Sequence, residues 1–273
     1  MMNFYKLIQI NIKNLIILGA VAFILFYIIS FFLPVTYKST AKLFPTDRSN
    51  QSILNDSSPL NSFLGVGSID PTVKRHISIL NSEDFIFNFL LENQYLHLIL
   101  DRSIDYADEE VNKDYNLKYS AVRMFKSKFY SSYDITTGEM KFDFIWSDRV
   151  TAAEILSSLI DHLNIQIAQK EIERSQLNIE YLLSFLRMNP NQEASYGLIT
   201  ATNSLLESES KKIMFATTVP DYAFQIIDSP SIRPERHSPN RFFIGLCAAI
   251  ILVISRLIYL SYENNLFRNQ NNI

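Results

Sequence analysis

The sequence predicts an α+β base next to a membrane, with a long helical hairpin arm and two transmembrane helices, one at each end. Three observations carry this reading. Two long apolar runs lie near the chain ends, Leu15–Leu33 (LIILGAVAFILFYIISFFL) and Phe242–Leu260 (FFIGLCAAIILVISRLIYL). Three alternating stretches, at 37–44, 140–148 and 221–228, have the period of strands. Between the last two, a helical pattern runs from Asp148 to about Met188 and then turns back.

The first apolar run carries no charge and the second only Arg256. Each spans roughly 28 Å as a helix, which matches the hydrocarbon core of a bilayer. A buried helix of a soluble domain is the alternative, but an uncharged run of this length is the transmembrane signal. The first run also has the basic flank of a secretory signal, Lys6 and Lys13. It is too long for one and ends in Phe31-Phe32-Leu33-Pro34 with no small-residue cleavage site, so an uncleaved anchor is expected. The spans are thus 15–33 and 242–260, with tails 1–14 and 261–273 on one side and 34–241 on the other. Charge leaves the sides open. Lys6, Lys13, Arg256 and Arg268 lie on the tail side; Lys38, Lys42, Arg48, Arg233, Arg236 and Arg241 lie on the loop side. A plain count favours a cytoplasmic loop, but long loops translocate largely regardless of charge and the first span usually dominates.

Composition narrows the function classes. The net charge of −3 suggests no nucleic-acid partner. Cys247 is the single cysteine, so no intramolecular disulfide forms.

Within the loop, YKSTAKLF (37–44) alternates, with Tyr37, Ala41 and Leu43 on one face and Lys38, Thr40 and Lys42 on the other. Residues 45–69 are rich in Ser, Asn, Asp, Pro and Gly and read as a loop. Asp70-Pro71 reads as a helix start. Helices are expected over about 71–81, 83–97 and 117–130, the second with a stripe of Phe85, Phe89, Leu90 and Leu96. The strand MKFDFIWSD places Phe142, Phe144 and Trp146 on one face, and DYAFQIID places Tyr222, Phe224 and Ile226 on one face. These strands can share a sheet covered by the helices, a base of about 34–147 and 217–229.

The arm, about 148–216, starts with a helix whose apolar positions are Ile155, Leu159, Leu163, Ile167, Ile179, Leu182 and Leu186. Its centre, 168–178, is mostly polar. Asn189-Pro190-Asn191 breaks it, and a second helix returns from about Gln192 to Phe215. The first helix reaches roughly 60 Å, too long to pack wholly on a small base, so its stripes point to packing against copies of the chain. The remaining stretch, 229–241, is a Pro- and Arg-rich collar before the second span. Its prolines, Pro230, Pro234 and Pro239, fix φ and disfavour helix before them. An extended, stiff strut is expected, with Arg233, Arg236 and Arg241 at lipid head groups. In the span, Gly245-x-x-x-Ala249 permits close helix contact.

Catalytic motifs are missing from the sequence. There is no phosphate-binding Gly loop, and Gly65-x-Gly67 lies in the Ser/Asn-rich loop. His76, His97, His162 and His237 are scattered without metal-ligand spacing. Asp108-Glu109-Glu110 reads as solvated surface, and Glu83 and Asp84 suit the first turn of a helix. No catalytic, cofactor or metal residues are assigned. The aromatic stretch FKSKFYSSYD (125–134) suits a sheet edge or stacking on sugars.

The order of span, strand, long external domain with helical arm, strand, Pro-rich segment and span resembles the Wzz-type chain-length determinants, or polysaccharide co-polymerases. LLESESKKIMFATTVPDYAFQIIDSPSIRPERHSPNR (205–241) is similar to that family's helix end, Asp-Tyr-aromatic strand and Pro-rich segment. LNSEDFIFNFL (80–90) resembles its Leu-x-Ser helix start, and YKSTAKLF its first strand. The chain is shorter than typical members and its prolines are spaced differently. The resemblance implies a non-enzymatic inner-membrane protein with cytoplasmic termini and a periplasmic domain. It implies a homo-oligomeric ring that works with a Wzy-type polymerase on a lipid-linked polysaccharide, O-antigen first among the candidates, to set its modal length. The long helix would then form the wall between subunits, and Pro230, Pro234, Pro239 and Arg241 the membrane-proximal motif. An inner-membrane adaptor for capsule or other polysaccharide export shares the architecture, but needs a longer arm. A two-span sensor needs an output module that the 261–273 tail is too short to supply.

Overall fold

The computed structural model describes residues 4–46, 71–104, 106, 114–188, 196–232 and 235–270. The expected loop at 45–69, the Asp108–Glu110 run, the Asn189-Pro190-Asn191 break and Arg233-Pro234 therefore lie wholly or mostly outside the described residues. The chain divides into two units, one of 1–37 with 234–273 and one of 38–233.

In the first unit, helix α1 (Phe4–Ile29) gives way to a 3₁₀ turn, Ser30–Phe32. The helix was expected to continue to Leu33. Leu33 is instead extended, at φ −75° and ψ 140°, because the ring of Pro34 disfavours the α conformation in the residue before it. Strand β1 (Thr36–Pro45) follows. At the other end of the chain, the second long apolar helix runs Arg241–Gln270. The stretches Ile12–Phe32 and Arg241–Leu260 are long and apolar enough to cross a membrane, and their most apolar windows are only 17% and 6% buried. Core helices of a soluble protein would be mostly buried.

The second unit is mixed helix and sheet. Helices α2 (Pro71–Leu80) and α3 (Glu83–Glu92) come first, then a short α4 (Leu96–Leu100). A single helix over 83–97 was expected. Asn93 ends it: its side-chain amide donates to the carbonyl of Phe89 at 3.0 Å, and Gln94 takes the left-handed conformation, φ 58°. Such side-chain bonds offer the backbone an alternative to the helix ladder. Helix α5 (Tyr115–Lys128) starts at Asp114, whose carboxylate accepts from the backbone N–H groups of Asn116 and Leu117 at 2.9 and 3.1 Å.

The helix expected over 117–130 stops at Lys128, and β2 (Phe129–Tyr133) follows at once. It pairs antiparallel with β3 (Met140–Trp146), in register from Phe129 opposite Phe144 to Tyr133 opposite Met140. Aromatic residues suit this pleated surface better than a helix end. Gly138 closes the turn at φ 73°, a conformation that favours glycine.

The long helix α6 (Arg149–Met188) is 40 residues and the returning α7 (Tyr196–Thr218) is 23. Asp148 caps α6, accepting from Val150 N and Thr151 N at 3.1 and 2.8 Å. The chain then enters β4 (Phe224–Asp228), three residues later than the alternation suggested. The strands run in the order β2-β3-β1-β4, with β1 and β4 antiparallel.

The core lies between this sheet and the helices. Phe89, Phe125, Phe142, Phe144 and Phe224 are fully buried. Their rings are linked: Phe89 to Phe125 at 5.9 Å, Phe125 to Phe144 at 5.5 Å and Phe142 to Phe224 at 6.1 Å. The base half of α6 joins them through Ile155, Leu156, Leu159, Ile160, Leu163 and Ile167, all buried. Farther along, Ile179, Leu182 and Leu186 are only half-buried. The polar centre of α6 is less solvated than its composition suggests. Glu171 is 3% exposed and accepts from the Arg75 guanidinium at 2.9 Å.

Asn164 lies within this apolar stretch of α6 and is buried. Its carbonyl oxygen accepts from Ala223 N and Phe224 N at 3.1 and 2.8 Å, and its amide donates to the Phe224 carbonyl at 3.3 Å. One side chain thus satisfies three backbone groups at the start of β4. Asn164→Leu leaves them without partners, and a loss of about 3 kcal/mol is expected. Urea unfolding of the detergent-solubilised chain checks this, with the exposed neighbour substitution Ile165→Ala expected to change stability by less than about 0.5 kcal/mol.

Candidate functional site

The residues singled out near the second span fall in different places. Pro230 belongs to the second unit and is half-buried. The next residue, Ser231, donates its backbone N–H to the Thr40 carbonyl at 3.1 Å. Pro234 lies outside the described residues. Pro239 follows a cis peptide bond from Ser238 and sits in the first unit with Arg241, Gly245 and Ala249.

The collar was expected to be an extended, stiff strut, and the strand pairing of its middle was not foreseen. Its middle is a short strand, β5 (Arg236–Ser238), antiparallel to the start of β1, with Ser238 opposite Thr36 and Arg236 opposite Tyr37. Extended chain between prolines still carries donors and acceptors, and a neighbouring strand satisfies them. Arg236 remains exposed. Asn240 then starts α8 (Arg241–Gln270), its side-chain oxygen accepting from Phe243 N at 3.4 Å. An Asn just before an apolar run is a helix-start signal, legible in the sequence but not used there.

Helices α1 and α8 meet along an aromatic ladder. The Arg241 guanidinium lies 4.0 Å from the centre of the Phe31 ring. The Tyr27 ring is 5.6 Å from Phe31 and 5.9 Å from Phe23, and Phe23 is 5.6 Å from Phe242. A guanidinium over a ring face is held electrostatically, more strongly where water is scarce. Below this, Gly245 is buried against Phe23: a Cβ there would lie 3.0 Å from the ring and 3.1 Å from the Phe23 carbonyl oxygen. Gly19 approaches Val253 in the same way, at 3.2 Å. Ala249 is half-buried.

In the second unit, the polar face of β1 is covered at Thr40 and half-covered at Lys38, while Lys42 stays exposed. Thr40, on the face opposite Ala41 and Leu43, is 6% exposed. Its hydroxyl donates to Asp143 at 2.7 Å, and the Lys38 ammonium lies 2.8 Å from the other oxygen of that carboxylate. Burial pushes the Asp143 carboxyl up. The bonds from Lys38 and Thr40, with the charges of Lys38 and Lys141, more than offset this and hold it below its ordinary 3.8.

The hairpin leaves large apolar side chains in solvent. On α6, Ile165, Leu177 and Tyr181 are 65%, 67% and 72% exposed, and on α7, Leu205 and Met214 are also exposed. Among the described residues, no three His, Cys, Asp or Glu side chains gather where they could hold a metal ion.

Two outcomes follow. Gly245→Leu drives a side chain into Phe23 and its backbone, so the thermal midpoint of the detergent-solubilised protein falls by the equivalent of about 1–3 kcal/mol, while Ile251→Leu on the exposed side leaves it unchanged. For Asp143, the native carboxyl is the stronger acid, so the unfolded chain takes up the proton first as pH falls. Its stabilisation is full above pH 3.8 and is lost as pH drops through the lowered native value. The gap in unfolding free energy between wild type and Asp143→Asn is therefore expected to be widest above that range and to narrow below it, as read by urea titrations at stepped pH.

No protein-family model matches the chain, and no curated protein matches it. Among solved structures, it is similar to a full-length bacterial polysaccharide co-polymerase, with a TM-score of 0.42 and 14% identity over 99% of both chains. It is also similar to a fragment of WzzB, a polysaccharide co-polymerase from Salmonella Typhimurium, with a TM-score of 0.35 and 12% identity over 75% of this chain and 100% of that one. Both are polysaccharide co-polymerases, the family that residues 205–241 resemble.

Proposed function

We propose that the chain is a non-enzymatic regulator of surface-polysaccharide length, a Wzz-type co-polymerase. It is anchored in the inner membrane by α1 and α8, with the mixed helix and sheet unit in the periplasm. In this reading, copies assemble into a ring beside a Wzy-type polymerase, and the polymer is a lipid-linked chain such as O-antigen. Arg241 on Phe31 and the collar through Pro230, Pro234 and Pro239 set how each subunit meets the head groups. Gly245, with Ala249, sets the packing of the two spans.

The observation that carries the reading is the exposed apolar pair Leu177 and Tyr181, one turn apart on α6. Leu177 and Tyr181 are adjacent on one side of the helix and stand in solvent, and adjoining exposed apolar side chains of this kind mark an interaction site. A second copy is the partner that two membrane anchors per chain bring to it in a fixed orientation, at high local concentration.

The double substitution Leu177→Asp and Tyr181→Asp tests this. The variant is expected to reach the membrane and unfold as wild type does, to lose its high-mass species on sizing in detergent, and to lose modal chain length on a lipopolysaccharide gel. Wild-type assembly and modality in the variant sink the reading. Loss of all surface polysaccharide on gene deletion, rather than a change in its length, favours the export adaptor instead.

A further inference from the structure

The second unit contains an open cavity of about 600 Å³, within the range of ligand sites. It lies where α4, the segment after it and the end of β3 come together. Its lining includes His97, Asp101, Arg102, Ser103, Trp146 and Ser147.

The wall is held in shape. Gln94 and Asp101, on either side of α4, both adopt positive φ, at 58° and 50°. Non-glycine residues enter this region at a cost and stay there only when the surroundings enforce it. Tyr106 supplies that constraint on the Gln94 side. Its hydroxyl accepts from His97 N at 3.0 Å, donates to the Gln94 carbonyl at 2.8 Å and lies 3.0 Å from His97 Nδ1. The backbone and the imidazole are both tied by one phenol. Trp146 is half-buried, stacked with Phe144 at 5.9 Å, and the Lys128 ammonium is 4.9 Å from its ring.

The chemistry of this lining selects a class of ligand. A sugar ring has apolar C–H faces and a rim of hydroxyls that both donate and accept. The C–H groups carry partial positive charge and suit the negative face or the flank of an indole. The carboxylate accepts, the guanidinium donates, and the serine hydroxyls and imidazole do either. Among the lining residues Asp101 and Arg102 cancel in charge, and Lys128 beside the Trp146 ring adds one positive charge, which suits a neutral or weakly acidic sugar. The cavity is open rather than enclosed, which suits part of a longer chain better than a small molecule.

We propose that this cavity binds a short internal segment of a neutral or weakly charged glycan. The inference rests on the reading of the chain as a co-polymerase and gives that scaffold a direct grip on its polymer. It places the contact on the base, away from Leu177 and Tyr181 of α6.

Trp146 is the single tryptophan of the chain, so its emission reports on this wall alone. The probe is delipidated surface polysaccharide from the cells that express the chain, titrated into the detergent-solubilised full-length protein, with dextran of matched size as a control. A saturable change in Trp146 emission is expected with the native polysaccharide. The double variant Asp101→Asn, Arg102→Gln is expected to weaken the half-saturation point at least tenfold, with its unliganded emission and melting unchanged. Asn keeps the tolerance for positive φ at position 101. No change in wild-type emission, or equal affinity in the variant, overturns the proposal. An equal response to heparin that vanishes in salt also overturns it, since that is polyanion binding. The same variant in cells separates this proposal from the wider reading. If gene deletion alters chain length while the variant leaves it at wild type, the cavity fails and the co-polymerase reading stands. If deletion alters nothing, the co-polymerase reading fails whatever the emission shows.

Discussion

The second unit depends on one buried amide. A hairpin that leaves a sheet through β3 and returns to it through β4 must place its return strand accurately after a long excursion. Asn164 does this from within the base half of α6, by accepting from two backbone N–H groups and donating to a carbonyl at Ala223 and Phe224. In an apolar surround, an unmet backbone group costs more than a bond gains. Any other register of β4 against α6 leaves those groups unmet. Phe224 then falls against Phe142, and β4 against β1, without further instruction.

The same economy of polar groups recurs at the other buried positions. Asp143 gathers Lys38 and Thr40 from β1, and Glu171 takes Arg75 from α2. Each joins elements distant in sequence, and each carboxylate is largely withdrawn from water. Removing one partner from such a pair strands a charge, which makes these contacts determinants of arrangement more than of net stability. Between them the core is aromatic, and ring edges meeting ring faces add direction to what is otherwise undirected apolar burial.

Much of this was legible in particular residues. The apolar runs, the 40-residue helix and the alternation of Phe142 and Phe144 are periodic over many positions, and periodicity survives tertiary context. The elements that were misread are short. Lys128 and Phe129 mark a switch from helix to strand that the partner strand β3 decides, because Phe129 finds its cross-strand neighbour, Phe144, only in the fold. The break at Asn93 and Gln94 depends on a side-chain bond to Phe89. The collar at Arg236–Ser238 has a proline after it and reads as free chain until the start of β1 lies beside it. Thr40 illustrates the limit most plainly. Its alternation with Ala41 is real, but the face it points to is closed by Asp143, whose place in the neighbouring strand no local pattern announces.

The residues proposed for function divide along the same line. Gly245 and Arg241 were visible as a small residue in a span and a charge at its edge, whereas their contacts with Phe23 and Phe31 required the two helices to be seen together. The cavity beside Trp146 had no signal in the sequence, since His97, Asp101 and Ser147 come from segments that meet only in the fold. The sequence by itself determined that the chain carries two long apolar helices near its ends and, between them, mixed helix and sheet with one very long helix, because the length of an apolar run, helical period and strand alternation are properties of neighbouring residues. The tertiary structure alone decided which polar side chains are buried, where strands begin and stop, and which faces remain unpartnered. Those follow from hydrogen-bond partners and covering side chains that lie tens of residues away.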